Sequence, residues 1–454
     1  MKRRIRIASG QGFWGDLQRA PLDQASKGPI DYLVMDYLAE VTMSILQKQR
    51  RKDPTLGYAR DIVSVVDQVL PLLKKNGFRV ITNGGGVNPL ACAEAIKAVA
   101  LRQRIPLKIG VVLGDDILGS LDELFSRGAM LENMETGETP ASIREKLQSA
   151  NVYFGAWPVA EALGRGADIV VTGRTTDTGL TLAPMIHEFG WKQTDWDLLA
   201  AGTVAGHILE CGGQASGGNF LGDWESVPHL EEIGFPIAEA EADGTVWITK
   251  HLGTGGLVSA QTVKEQLVYE IGDPRTYITP DCIADFTSIR LNDDGPDRVK
   301  VHGITGRPAT DSYKVSMAYL DGYTAFGTLT YAWPDALKKA RAADAILRGR
   351  LIRLGLEYEE IHTEFLGYDS SHARLTPVEK EPDEVVLRVG VRGQSAKDVE
   401  AFGKELAPLI LTGPPSVTGF AGGRPKPSEV ISYWPALISK SLVTPRVEIV
   451  EVRP

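Results

Sequence analysis

An apolar strand followed by a glycine-bearing turn recurs along the first 190 residues, with helical patterns between the repeats. The strands and their turns are Arg4–Ala8 with Ser9–Gly12, Phe78–Thr82 with Asn83–Gly86, Leu107–Leu113 with Gly114–Asp116, and Asp168–Thr172 with Gly173–Arg174. This order predicts an α/β fold with a mostly parallel sheet and helices on both faces. In such sheets ligands bind at the carboxyl ends of the strands, which is where every one of these turns lies.

The pattern changes after about residue 230. Short apolar stretches separated by Gly, Pro and Asp turns predict further strands, among them Val246–Thr249, Tyr269–Ile271, Arg298–Gly303, Lys314–Tyr319 and Gly327–Tyr331. Helical patterns follow at 334–354 and 396–411. We therefore expect two domains, a parallel α/β ligand-binding domain at 1–230 and a second α+β lobe at 231–454.

Charge and cysteine usage exclude several classes of protein. The formal net charge of −9, without a basic stripe, argues against a nucleic-acid partner. The three cysteines are far apart and form no CxxC motif, which is typical of the reducing cytoplasm. No apolar run is long enough to cross a membrane, and the charged N-terminus has no apolar signal region, so we expect no membrane association.

The first turn, Ser9–Asp16, carries glycines that let backbone amides point toward an anion. Gly10 and Gly12 are the candidate anion-binding residues. With Gly15 they match the bare G-x-G-x-x-G spacing of dinucleotide sites, but the ending of a P-loop is missing. An anionic ligand, a dinucleotide and a purely structural turn all remain open for this segment.

The second turn places three glycines between two asparagines. Gly84, Gly85 and Gly86 allow close approach of a ligand, Asn83 and Asn88 offer amide groups, and the next helix begins there. A tight strand–helix turn without a ligand is the alternative.

The third turn offers an arginine. Arg174 follows Gly173 at the end of a strand, where a guanidinium suits a carboxylate or a phosphate. Asp177 is expected to pair with Arg174 or to lie at the start of the next helix. Lys250, ahead of a Gly-Thr-Gly-Gly loop, is a further candidate for anion binding.

His207, Glu210 and Cys211 stand at i, i+3 and i+4, so a helix would place them on one face. A histidine and a buried glutamate form a general acid–base pair, and all three side chains also bind zinc or iron. A capped structural turn is the third interpretation. The sequence leaves the metal and the cofactor undetermined.

Ordered motifs over nearly the whole chain resemble the acyclic terpene utilisation family, of the AtuA N-terminal type. The motifs are Gly12–Asp16, Asp36–Glu40, Asn83–Pro89, Gly166–Arg174, Gly206–Cys211, Thr249–Gly256, Gln266–Glu270 and Tyr277–Asp281. The resemblance implies a role in the catabolism of branched compounds through CoA thioesters. It also implies a small partner protein, because longer relatives carry an extra C-terminal domain.

These observations favour a lyase or hydratase that acts on a branched carboxylic acid or its CoA thioester. Arg174 would hold a small anionic substrate, assisted by Asn83 and the neighbouring glycine amides, while His207 and Glu210 would exchange protons and Cys211 would be a weaker candidate. A non-catalytic ligand-binding or scaffold subunit and an NAD(P)-dependent oxidoreductase are the alternatives. We expect a homo-oligomer. The whole interpretation requires the turns at 10–15, 83–88 and 172–175 to converge.

Overall fold

A computed structural model describes residues 4–372, 375 and 381–453. These residues form two compact units, the first from 4–318 together with 433–453 and the second from the described residues within 319–432. The strands are β1 (Arg4–Gln11), β2 (Tyr32–Met35), β3 (Arg79–Thr82), β4 (Leu107–Leu113), β5 (Leu147–Val152), β6 (Ile169–Thr172), β7 (Ile237–Glu241), β8 (Val246–Thr249), β9 (Tyr277–Ile278), β10 (Ile283–Asp285), β11 (Arg290–Asp293), β12 (Arg298–His302), β13 (Thr305–Arg307), β14 (Ser312–Ala332), β15 (Glu360–Leu366), β16 (Glu384–Gly393), β17 (Val417–Gly419), β18 (Ser428–Ser439) and β19 (Arg446–Val452).

Helices alternate with the strands in the first half of the chain, as the pattern predicts. They are α1 (Ala20–Ser26), α2 (Glu40–Lys52), α3 (Asp61–Asn76), α4 (Pro89–Gln103), α5 (Leu121–Ser126), α6 (Trp157–Gly164), α7 (Gly179–Phe189), α8 (Trp196–Leu209), α9 (Ala260–Val268), α10 (Ala336–Arg353), α11 (Ala396–Leu406) and α12 (Leu409–Thr412). Short 3₁₀ turns complete the regular structure.

A ten-stranded sheet forms the centre of the first unit, in the order β11-β12-β8-β7-β1-β2-β3-β6-β4-β19. Its middle strands β1, β2, β3, β6 and β4 are parallel. Residues of each middle strand alternate between two apolar clusters, one under α1, α3 and α4 and the other under α6, α7 and α8. Burial on both faces explains why these strands read as continuous apolar runs. The α/β class is therefore confirmed.

The expectation of a mostly parallel sheet is not confirmed, because antiparallel strands continue the sheet at both edges. β7, β8, β12 and β11 extend it beyond β1, and β19 extends it beyond β4. The backbone edge of a parallel sheet needs hydrogen-bond partners, and here distant parts of the chain supply them. Residues 231–318, which the sequence pattern predicts to belong to the second lobe, lie in the first unit, because β7, β8, β11 and β12 extend its sheet.

The second unit has a sheet whose strands run in the order β15-β16-β14-β17. α10 and α11 cover one face of it, and their apolar side chains form a separate core with residues of β14 and β16. The segments predicted as strands at 314–319 and 327–331 are parts of the single strand β14. The predicted strand at 269–271 is wrong, since these residues follow α9 outside any strand.

Candidate functional site

Polar side chains meet at the carboxyl ends of the parallel strands. Asp36 follows β2 and accepts a hydrogen bond of 2.6 Å from Nδ2 of Asn83, which follows β3. Asn83 Oδ1 in turn accepts the backbone N–H of Tyr37 at 2.8 Å. Asp115, after β4, accepts the backbone N–H of Arg174, after β6, at 2.8 Å. The switch in strand order between β3, β6 and β4 thus gathers the residues that the sequence placed at strand ends.

Arg174 is buried, with an exposed fraction of 2%, yet its guanidinium keeps several partners. Nη1 donates to the carbonyl of Leu38 at 2.6 Å and lies 3.2 Å from Oδ1 of Asp177. The guanidinium also lies over the ring of Tyr153, 4.2 Å from its centroid. Burial alone lowers the pKa of Arg174, but the acidic neighbours, first of all Asp177, outweigh burial and raise it. The group therefore stays charged.

A cavity of about 450 Å³ opens beside this guanidinium, and we call it the Arg174 cavity. Its lining residues are Glu40, Met134, Tyr153, Arg174, Thr176, Asp177, Tyr277, Ile278, Thr279, Pro280, Thr310, Ser312, Lys314 and Leu437. The volume is that of a site for a small organic molecule. Two cations and two carboxylates line it, so a polar or anionic group finds partners there.

Two carboxyls beside Arg174, the buried Asp36 and the partly exposed Asp177, have raised pKa values. Burial is the main cause of the raised pKa of Asp36, and the nearby Asp177 carboxylate adds to it while Arg174 opposes it. Burial also raises the pKa of Asp177, against the pull of Arg174 and a side-chain hydrogen bond with Asp36. The Asp177 carboxylate thus disfavours ionisation of Asp36, whereas the hydrogen bond from Asp36 favours the ionised form of Asp177.

Glu40 is the second carboxylate, beside Asp177, that lines the Arg174 cavity. Oε1 of Glu40 accepts the hydroxyl of Tyr153 at 2.8 Å and lies 3.6 Å from Nζ of Lys314. Burial alone raises the pKa of Glu40, but Arg174 and Tyr153 outweigh it and the pKa is lowered. Lys314 carries no sequence signal of a site residue, because nothing in the pattern of a long strand distinguishes one lysine. Glu40 was visible only inside the family motif at 36–40.

His207 and Glu210 form the hydrogen-bonded pair that their spacing predicts. Nδ1 of His207 lies 2.8 Å from Oε1 of Glu210, and the imidazole is 2% exposed. Burial alone lowers the pKa of His207, but the Glu210 carboxylate outweighs it and the pKa is raised. Burial raises the pKa of Glu210 against the pull of His207. Nε2 of His207 has no hydrogen-bond partner in the described part of the chain.

Tyr277 stands between this pair and the Arg174 cavity. Its ring lines the cavity and lies 5.3 Å from the imidazole of His207, centroid to centroid. Cys211 differs from the helical expectation, because α8 ends at Leu209 and the cysteine follows it. Burial and the Glu210 carboxylate raise the pKa of the Cys211 thiol to about 12, so the thiol is protonated at neutral pH.

The first glycine turn packs against the end of α8. A Cβ on Gly12 would lie 2.8 Å from backbone atoms of Cys211 and Gly212, and one on Gly10 would lie 2.9 Å from the side chain of Leu33. The amide of Gly12 already donates to Oδ2 of Asp16 at 2.8 Å. The turn therefore supplies its own carboxylate to the amide that we expected to bind an anion.

The second glycine turn is buried and closely packed. A Cβ on Gly85 would lie 2.5 Å from the carbonyl oxygen of Thr172, and Gly86 has a φ of +54° with Leu46 against it. The amide of Gly84 donates to the hydroxyl of Thr82 at 2.9 Å. Asn88 caps α4 by accepting the N–H of Ala91 at 3.4 Å and donates to the carbonyls of Pro54 and Leu56. The contact of Gly85 with Thr172 brings the turns at 83–88 and 172–175 together.

Gly173 and Lys250 have structural partners of their own. A Cβ on Gly173 would lie 2.2 Å from Oδ1 of Asp115, so only glycine fits beside that carboxyl. Nζ of Lys250 donates to the carbonyl of Thr254 at 2.8 Å and lies 3.0 Å from Oδ2 of Asp297. Lys250 is not among the residues that line the Arg174 cavity.

Among the described residues, no group of three or more His, Cys, Asp or Glu side chains has the geometry of a metal site. No helix in the described ranges is both long and apolar enough to span a bilayer.

The chain was compared with known proteins. No curated protein is significantly similar to it in sequence. A family model described as "Acyclic terpene utilisation family protein AtuA" matches residues 5–449 of the 454. All three glycine turns, the Arg174 cavity and the His207–Glu210 pair fall within the matched range. Because the match covers nearly the whole chain, the protein belongs to the acyclic terpene utilisation family.

Proposed function

We propose that this protein is a catabolic enzyme, a lyase or hydratase that acts on a branched carboxylic acid or its CoA thioester. Its family membership suggests a role in acyclic terpene catabolism. The observation that carries the reaction class is the buried, charged Arg174 beside a carboxyl pair with raised pKa values. Adding water next to a carboxyl group requires a cation for the developing enolate and a group that exchanges a proton near neutral pH.

Arg174 is the group that we assign to the carboxylate or carbonyl oxygen of the substrate. It is fixed by Leu38, Tyr153 and Asp177, so little reorganisation is needed when negative charge develops on the substrate. Lys314 lines the same cavity and is the second cation within it. The turns at 83–88 and 172–175 hold the ends of β3 and β6 in place. We assign no substrate contact to their backbone amides.

Asp177 is the group that we assign to proton exchange with the substrate. It lines the cavity, is one-third exposed and has a raised pKa. In hydration, the Asp177 carboxylate takes a proton from water as the oxygen attacks the carbon β to the carboxyl. The protonated Asp177 then gives this proton to the carbon α to the carboxyl, which restores the Asp177 carboxylate, and dehydration follows the reverse path. Asp36 supports Asp177 by donating a hydrogen bond to it.

His207 and Glu210 act on the site through Tyr277 in this proposal. The imidazole packs against the tyrosine ring, and burial, followed by the Glu210 carboxylate, raises the pKa of Tyr277. We therefore expect His207→Ala to remove turnover while the fold is retained. Full activity in that variant, with unchanged far-ultraviolet circular dichroism, would reject the role of His207.

The reaction is tested with isotopically labelled water. Unsaturated branched acids and their CoA thioesters are incubated with the protein in H₂¹⁸O, and mass spectrometry looks for a hydroxylated product that carries the label. Wild-type protein should form it, and Asp177→Asn should not. Label incorporation that appears only after a partner protein is added would instead favour a ligand-binding or scaffold subunit. Sedimentation analysis of the same sample tests the expected homo-oligomer.

A further inference from the structure

A second cavity, of about 370 Å³, lies beside α9 and does not share a lining residue with the Arg174 cavity. We call it the α9 cavity. Its lining residues are Ala260, Lys264, Leu267, Val268, Ile271, Pro274, Phe286, Ile289, Arg290 and Leu291. The volume falls in the range of about 300–1,000 Å³ that is typical of sites for small molecules. Nothing in the proposed reaction uses it.

The polar groups of this lining are both cationic. Lys264 is exposed and makes no ion pair or side-chain hydrogen bond among the described residues. Arg290 is also exposed, and its Nη1 donates to the carbonyls of Ser288 and Ile289 at 3.1 and 2.9 Å. No carboxylate lines the cavity. An occupant with one negative group and an apolar body would match both the charge and the wall.

The inner wall of the α9 cavity adjoins the His207–Glu210 pair. Phe286 lines the cavity, and its ring lies 5.4 Å from the imidazole of His207 and 4.8 Å from the ring of Tyr277, centroid to centroid. Tyr277 lines the Arg174 cavity. The contacting rings of Phe286 and Tyr277 therefore separate the two cavities, with the imidazole of His207 packed against both rings. The α9 cavity is thus a separate site next to the candidate active site.

We propose that the α9 cavity binds a small amphipathic carboxylate, with the aliphatic chain against Leu267, Ile271 and Phe286 and the carboxylate beside Lys264 and Arg290. Attraction between the carboxylate and the two cations selects an acid over a neutral molecule of the same length. The apolar wall selects a chain over a small polar anion such as phosphate. This inference does not depend on the reaction assigned to the Arg174 cavity.

The site is tested by crystallising the full-length protein with 8-bromooctanoate. The anomalous signal of bromine should lie in the α9 cavity. Bromine only in the Arg174 cavity or elsewhere, or a second copy of the chain packed over α9 with the cavity empty, would overturn the proposal.

Calorimetry in solution tests the chemical class of the ligand. Lys264→Glu should weaken octanoate binding about fivefold, since one attractive exposed charge becomes repulsive, and should leave 1-octanol binding unchanged. Lys192→Glu, at an exposed lysine away from both cavities, is the matched control and should change neither. Equal effects of Lys264→Glu on the acid and the alcohol, or no effect on either, would contradict the proposal.

Discussion

Replacing Arg174 by methionine should destabilise the protein in a way that depends on pH. The substitution keeps an unbranched side chain but leaves Asp177, Asp36 and Glu40 without their buried cation. Removing one partner of a buried ion pair costs about 3–5 kcal/mol. We expect the lower end, about 3 kcal/mol at pH 8, because Asp177 is one-third exposed and burial favours the neutral form of Asp36.

The pH dependence follows from the direction of the pKa shift of Asp177. Arg174 lowers this pKa, so its removal raises the folded-state value further above the unfolded value of 3.8. The folded variant then retains a proton that the unfolded chain has released. Its stability therefore falls as pH rises above 3.8 and recovers as pH decreases.

Urea denaturation at pH 5 and pH 8 measures the effect. The free energy of unfolding of Arg174→Met should fall below that of wild type by about 3 kcal/mol at pH 8 and by less at pH 5. Arg174→Lys keeps the charge and is the control, with a smaller loss at pH 8. A loss that is equal at the two pH values, or below about 1 kcal/mol at pH 8, would refute the reasoning.

Three further substitutions test other parts of the account. Burial raises the pKa of Asp115 to about 7, so the free energy of unfolding of wild type should fall as pH rises from 5 to 7. Asp115→Asn should lack this pH dependence in urea denaturation. The same pH dependence in the variant and in wild type would contradict the prediction. Gly173→Ala should lower the free energy of unfolding by at least about 2 kcal/mol, because the added methyl group would contact Asp115. Gly119→Ala is the control and should not lower it, because a Cβ there has no neighbour within 4 Å. Equal melting temperatures of the two variants would disprove the close contact. Lys250→Met should lower the free energy of unfolding by about 3 kcal/mol, because Asp297 loses its ion-pair partner. The variant should bind carboxylates in the Arg174 cavity as wild type does. Weaker binding in a folded variant would make Lys250 a ligand-binding residue.

Local patterns predicted the centre of the fold well. The apolar spacing at 61–75 and the Asn-Gly that follows it correspond to α3, which ends with Gly77 in the left-handed conformation. The four glycine-bearing strands are the parallel strands β1, β3, β4 and β6. These features depend on neighbours along the chain, so one sequence is enough to reveal them.

Pairing between distant segments could not be predicted in the same way. β7 pairs with β1, and β19 pairs with β4 more than 300 residues away, although neither strand carries a signal that names its partner. β14 was divided into two predicted strands because Asp321 and Gly322 interrupt the apolar pattern. Which strand pairs with the edge of the parallel sheet depends on which backbone N–H and C=O groups remain unpaired in the folded chain.

The candidate site was predicted in part. Arg174 lies in the cavity, and His207 and Glu210 are hydrogen-bonded, because strand ends and helical spacing are local properties. The turns at 83–88 and 172–175 do meet, but their glycines serve close packing in the described structure. Lys314 comes from a strand far along the chain and had no sequence signal.

The most direct test of the central claim is the binding of a small branched acid to the Arg174 cavity. Calorimetry with 3-methylbut-2-enoate should show binding to wild type, at least tenfold weaker binding to Arg174→Lys, and none of the corresponding amide, because the guanidinium recognises a carboxylate through paired hydrogen bonds. Equal affinity for the acid and the amide, or an affinity that Arg174→Lys leaves unchanged, would contradict the account.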